Sequence, residues 1–160
     1  MASATDPRGG ARVRLPPPLT LLLSVLVGVG LRYLVVPPPL PGSRLVQLVV
    51  GAVVLAAGLA IGMPAFRMMK KSGQDPRPWK PSTELLAQGI YRYTRNPMYV
   101  GMMVNQIGVG IMLDNLWVIL LAAPFLVVVH YTAVLREEAY LDEKFGEPYR
   151  EYRKRVRRYL

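Results

Sequence analysis

The residues with chemical potential fall in two clusters. The first runs Ser82-Thr83-Glu84-Leu85-Leu86-Ala87-Gln88-Gly89-Ile90-Tyr91-Arg92-Tyr93-Thr94-Arg95-Asn96-Pro97-Met98-Tyr99-Val100-Gly101. Pro97 suits the first turn of a helix, with Asn96 as its N-cap, so free backbone N–H groups at that helix start favour a carboxylate or phosphate. The second cluster holds Arg136-Glu137-Glu138 and then Phe145-Gly146-Glu147-Pro148-Tyr149. Adjacent carboxylates suit a positively charged small molecule. The chain has no cysteine and one histidine, His130, which excludes disulfides, thiolate metal sites, a cysteine nucleophile and a His-cluster metal site.

What must position these clusters is a set of membrane spans. The 160 residues make one domain, 52% hydrophobic, whose apolar residues sit in a few long runs between charge clusters, unlike an ordinary soluble globule or a disordered basic chain. About 20 apolar residues are needed to cross a bilayer core. Four uncharged intervals qualify, predicting spans over about 19–36, 45–66, 97–113 and 116–135. The first requires Arg32 to snorkel toward a headgroup; it reads as a span rather than a signal peptide because Pro37-Pro38-Pro39 follow it without a small-x-small cleavage site. In the second, Gly51, Gly58 and Gly62 recur at spacings that let a neighbouring backbone approach. Asp114-Asn115 makes the last two spans a tight hairpin. The hairpin returns the chain to its starting face, so Asn96 and Glu137 should meet at one membrane interface. The expected fold is therefore all-α and integral to the membrane: a basic tail over 1–18, then a single domain over 19–160 with about four transmembrane helices, a loop over 67–96 and a cytoplasmic amphipathic helix over 136–160.

Charge sets the orientation. The tail carries Arg8, Arg12 and Arg14, the segment from Arg67 to Arg95 has seven Lys or Arg, and the chain from Arg136 onward has eight, whereas the opposite side has Arg32 and Arg44. The positive-inside rule places both termini and the middle loop in the cytoplasm of an inner or plasma membrane. The net charge of +10 thus reads as topology signal and attraction to anionic headgroups; nucleic-acid binding is not expected, because the basic residues flank spans rather than form one aromatic-studded face. Plainer readings stand beside the functional ones. A Glu pair after a span is commonly a solvated helix face, interfacial Tyr forms aromatic belts, Gly108-Val109-Gly110 suits close helix packing, and His130 reads as a neutral, hydrogen-bonded core residue. Glu147 with Glu151 and Arg150 with Lys154 need only surface pairing.

In order and spacing, Gly89-Ile90-Tyr91, Arg95-Asn96-Pro97-Met98-Tyr99-Val100-Gly101, the hairpin, Arg136-Glu137-Glu138 and Phe145-Gly146-Glu147-Pro148-Tyr149 resemble the membrane methyltransferases related to isoprenylcysteine carboxyl methyltransferase and the phospholipid N-methyltransferases. The resemblance covers about Thr83 to Leu160. It implies an S-adenosylmethionine site with a lateral opening for a lipid-like or hydrophobic methyl acceptor; from the residue types, no metal is expected. Carried over by position, Thr83, Glu84, Leu85 and Leu86 would line the cofactor, Tyr91, Asn96, Pro97, Met98, Tyr99 and Gly101 would surround it, and Glu137 would bind it with Glu138 beside it. Gly108 and Gly110 resemble a Gly-x-Gly that leaves the cofactor room. The catalytic candidates are Arg136, Glu138 and Tyr99, and Arg92, Arg136 and Arg153 are the candidate partners of an anionic substrate. The prenylcysteine enzymes typically have His at the position of Asn96 and a substrate-facing arginine at that of Ala133, so neither role transfers to this chain. The acceptor atom, O, N or S, stays open, as do two other functions: an NADPH-dependent reductase of sterol-reductase type, and a non-catalytic scaffold that keeps the fold.

Overall fold

The computed structural model describes residues 9–13 and 15–159; Arg8 and Arg14 of the basic tail fall outside them. Over the described residues the protein is all-helical, and three of its helices are long and apolar enough to cross a membrane: Pro17–Leu34, Arg44–Lys71 and the continuous helical run Leu116–Phe145. The first two are α1 and α2. α1 stops at Leu34, short of the expected 36: Val35 is already extended ahead of the proline run, which disfavours helix in the residue before it. α3, Pro97–Met112, has 16 residues, or about 24 Å of rise at 1.5 Å per residue. The long third run begins as α4 (Leu116–Leu120) and α5 (Ala122–Val129), passes through a π-helical turn over His130–Val134 and continues as α6 (Leu135–Phe145). α7 follows as Glu147–Arg155.

α2 and α3 pack along their lengths through glycine. A Cβ added at Gly108 would lie 2.7 Å from the Leu55 nitrogen, one at Gly101 2.7 Å from the Gly58 carbonyl oxygen, and one at Gly51 2.8 Å from the Gly108 carbonyl oxygen. Backbone therefore meets backbone, which gives a short helix dense contact without large side chains. α1 closes on α4 in the same way, Gly28 against Val118.

The far end of α3 is tied down by cations. Arg32 Nη1 donates to the carbonyls of Leu113 at 2.7 Å and Asp114 at 3.1 Å. Arg44 donates to the Met112 carbonyl. Both satisfy carbonyls that have no intrahelical partner, at the end of the helix where a positive charge is favoured. In the turn, Asp114 takes a left-handed φ of 48°, and the Asn115 side chain caps α4 by accepting from the nitrogens of Trp117 and Val118.

At the opposite end the helix expected over 136–160 is broken. Gly146, at φ 58°, ends α6, and Pro148 in the first turn of α7 fixes a new direction. Residues 156–159 are not helical. Gly10 and Ala11 lie buried at this end, with the Ala11 N–H donating to the Pro78 carbonyl at 2.8 Å.

Gly108→Ala should force α2 and α3 apart and lower stability by about 1–3 kcal/mol, the usual cost of overpacking. Gly30→Ala, where an added Cβ meets nothing within 4 Å, should not. Thermal unfolding of both variants in detergent checks the contrast.

Candidate functional site

The loop between α2 and α3, the start of α3, the start of α6 and one face of α7 enclose a cleft that is open to solvent. Each wall follows from local sequence. Tyr91 enters from a 3₁₀ turn over Gly89–Arg92, which Gly89 begins at φ 56°. Pro97 starts α3 in the cleft wall. The π-helical turn immediately before α6 changes the register of the helix ahead of Glu137 and Glu138, and both carboxylates line the cleft. Tyr149 and Tyr152, three residues apart on α7, are buried with Tyr91 and Ala65 in a small aromatic core.

The two glutamates have different surroundings. Tyr99 donates its hydroxyl proton to Glu137. Glu138 is almost fully buried and accepts from Arg158 Nε and Nη2, both at 2.8 Å, while Arg95 Nη1 lies 3.0 Å from its Oε1. Glu138 is thereby neutralised, and Glu137 is the carboxylate of the pair that carries no cation partner among the described residues. The end of the chain closes this arrangement. The Arg158 carbonyl accepts from Thr94 Oγ1 at 3.2 Å and from Asn96 Nδ2 at 3.0 Å, and the Arg157 carbonyl accepts from the Arg95 N–H at 3.0 Å. Asn96 therefore stands at the N-cap position without capping: its side chain is turned to the C-terminal segment and makes no cap hydrogen bond to the first amides of α3. Burial pushes the phenols of Tyr91 and Tyr152 up, Tyr91 further through the Glu137 charge, so both stay protonated at neutral pH. Tyr152 donates to the Tyr91 carbonyl at 2.8 Å.

Of the residues singled out in the sequence, Glu84, Leu85, Leu86, Tyr91, Asn96, Pro97, Met98, Tyr99, Glu137 and Glu138 line the cleft together. Thr83 is exposed beside it, and Arg92 and Arg153 are exposed outside it. Arg136 donates to the Arg12 carbonyl at 3.2 Å, away from the lining. Gly101, Gly108 and Gly110 are in helix contacts, the first two on α2 and the third on Ile119. His130 is half-buried and shares a 2.9 Å hydrogen bond with the Tyr159 hydroxyl. Arg95, Tyr140, Tyr149 and Tyr152 also line the cleft, and Arg158 holds its edge. For Tyr149, Tyr152 and Arg158 the signal in the sequence is the Gly146-Glu147-Pro148 break, which turns α7 back over the site.

Such a cleft, with a carboxylate and a helix N-terminus facing a space walled by tyrosine and leucine, suits a small molecule that carries both charges and an aromatic or apolar body. The chain belongs to the phospholipid methyltransferase family, whose model matches residues 46–148. It is 39% identical over 72 residues to the protein-S-isoprenylcysteine O-methyltransferase of Schizosaccharomyces pombe, a match over 45% of this chain and 30% of the yeast protein. It is also 35% identical over 63 residues, 39% of this chain, to the whole of an uncharacterized protein of Haemophilus influenzae. No solved structure gives a significant match.

Glu138→Ala leaves Arg95 and Arg158 without their shared carboxylate, and removing one side of a buried ion cluster costs about 3–5 kcal/mol. Asp142→Ala removes an exposed partner of Arg150 and should leave the melting temperature unchanged. Thermal unfolding of the two variants side by side reads the difference.

Proposed function

We propose that this protein transfers a methyl group from S-adenosylmethionine to an O, N or S nucleophile of a lipid-like or hydrophobic molecule at the cytoplasmic face of a membrane. The observation that carries the reading is the placement of Glu137, held by Tyr99, beside the uncapped start of α3 in one tyrosine-walled cleft. When bound, S-adenosylmethionine supplies a methyl group already activated on a sulfonium. The residues present fit it. Glu137 offers a carboxylate to the ammonium and offsets the sulfonium charge, and Tyr99 fixes the direction of that carboxylate. The α3 start faces the acidic end of the ligand. Leu85, Leu86 and Tyr91 provide an apolar wall for an adenine ring. Since the donor needs little chemical activation, the main work of the chain is to hold donor and acceptor in line and to keep water out.

A lipid-like acceptor is supported by the family and by the three long apolar helices, which bring the cleft to the end of a membrane-embedded bundle. The cytoplasmic orientation rests on the distribution of Lys and Arg. Because the chain has no cysteine, single replacements report it cleanly: in intact cells or spheroplasts, Ser82→Cys should be protected from a membrane-impermeant maleimide and Ser43→Cys labelled. The reverse pattern would invert the topology.

Calorimetric titration of the detergent-purified protein tests the cofactor. S-adenosylhomocysteine should bind saturably, NADPH should not, and Glu137→Ala should weaken binding at least tenfold, since loss of a charge-assisted contact in a buried site costs about 1.5–3 kcal/mol. Binding of NADPH alone would identify a reductase, and binding of neither a non-catalytic protein.

A further inference from the structure

The loop over 72–88 runs from α2 to the 3₁₀ turn without helix or strand, longer than most connections between helices. Every second residue from Pro76 to Glu84 lines the cleft: Pro76, Pro78, Lys80, Ser82 and Glu84. The later half of this roof is fixed to α6, where the Ser82 N–H donates to the Tyr140 hydroxyl at 3.1 Å. The earlier half is held by residues 9–13, none of which lines the cleft. Gly10 packs on the backbone of Trp79 and Lys80, so closely that an added Cβ would stand 2.5 Å from both the nitrogen and the carbonyl oxygen of Lys80. The Ala11 N–H donates to the Pro78 carbonyl at 2.8 Å, and Ala11 is wholly buried. The Arg12 carbonyl accepts from Nη1 of Arg136 at 3.2 Å, on the helix that carries Glu137 and Glu138. Val13 packs against the apolar cluster that contains Tyr99 and Ala133. Irregular segments near a chain end are ordinarily loose unless tied down; this one is tied at Gly10, Ala11, Arg12 and Val13 in succession. It lies outside residues 46–148, which carry the family match.

We infer that residues 9–13 form a strap that holds the roof of the cleft, residues 76–84, against α6 and thereby sets how long a ligand stays bound. The inference rests on the S-adenosylmethionine reading for the identity of that ligand, whereas the hold on the roof is a property of the chain alone. The strap works through its backbone: residue 10 must lack a side chain, residue 11 must supply an N–H, and residue 12 supplies a carbonyl. Being short and irregular, it can lift without unfolding the helices. Lifting frees Pro78 and Lys80 to move away from the cleft, and a covering loop makes ligand exit depend on that opening.

Two measurements on the full chain in detergent test this. The first is hydrogen exchange of the amides over 76–84, read by mass spectrometry without ligand. Gly10→Val, which drives a side chain into the Lys80 backbone, and Ala11→Pro, which removes the donor, should each speed that exchange by about threefold to tenfold, the factor to which one lost backbone hydrogen bond corresponds. Exchange over α3 should not change, and Arg12→Ala, which keeps the carbonyl, should behave as wild type. The second is release of tritiated S-adenosylhomocysteine, which should quicken by a similar factor in Gly10→Val and Ala11→Pro alone. Unchanged exchange over 76–84 in both variants overturns the strap, and so does exchange that quickens equally over α3, which marks a general loss of structure. Faster local exchange with unchanged release overturns its hold on the ligand. A wild type that binds no S-adenosylhomocysteine overturns the cofactor reading instead, and hydrogen exchange still decides the strap.

Discussion

Glu138 is where the molecule is tied together. Through its two oxygens it joins the loop that leads into α3, the start of α6 and the segment after α7. A buried carboxylate is unfavourable by itself and becomes tolerable only when its lone pairs are filled. Here they are filled by Arg95 and by Arg158, and Arg158 reaches it because α7 folds back and the segment after it runs past Thr94 and Asn96. The cleft exists because that condition is met. Removing Glu138 would therefore release the walls of the site as well as a charge.

Such a cluster needs a fixed platform, and the glycine contacts between α2 and α3 provide it. With 16 residues, α3 has little length with which to anchor itself. The close backbone approach of Gly101 and Gly108 to α2, and the capping of its last carbonyls by Arg32 and Arg44, hold it at both ends. A helix so held presents its other end, Pro97 to Tyr99, at a constant place in the cleft. Packing in the apolar part of the molecule thus determines electrostatics at its polar end.

Much of this was legible from residue order. Interval lengths between charges located the apolar segments, and a hairpin at Asp114-Asn115 was enough to bring Asn96 near Glu137. Other features were not legible, for physical reasons. Glycine in an apolar helix serves close packing and ligand access equally well, and nothing in Gly108-Val109-Gly110 distinguishes the two; here the space is filled by α2 and Ile119. That Arg32 caps the carbonyls of the turn after α3 is not legible from its own segment, because they lie 81 and 82 positions away. The roles of Arg158, Tyr149 and Tyr152 depend on the chain reversing at Gly146, whereas a charge pattern with helical spacing suggested one continuous helix. Glu137 and Glu138 are neighbours of identical type, and their division into a carboxylate held by a tyrosine hydroxyl and one paired with two guanidiniums comes entirely from partners supplied elsewhere.

The central claim is that one cleft at the cytoplasmic end of the bundle holds S-adenosylmethionine between the α3 start and Glu137. Ultraviolet crosslinking of the radiolabelled cofactor to the full chain in membranes, followed by peptide mapping, tests it most directly. The account predicts label in peptides covering 76–99 and 137–152, displaced by excess S-adenosylhomocysteine. Label confined to peptides of α1 or α2, or label that S-adenosylhomocysteine does not displace, would contradict it.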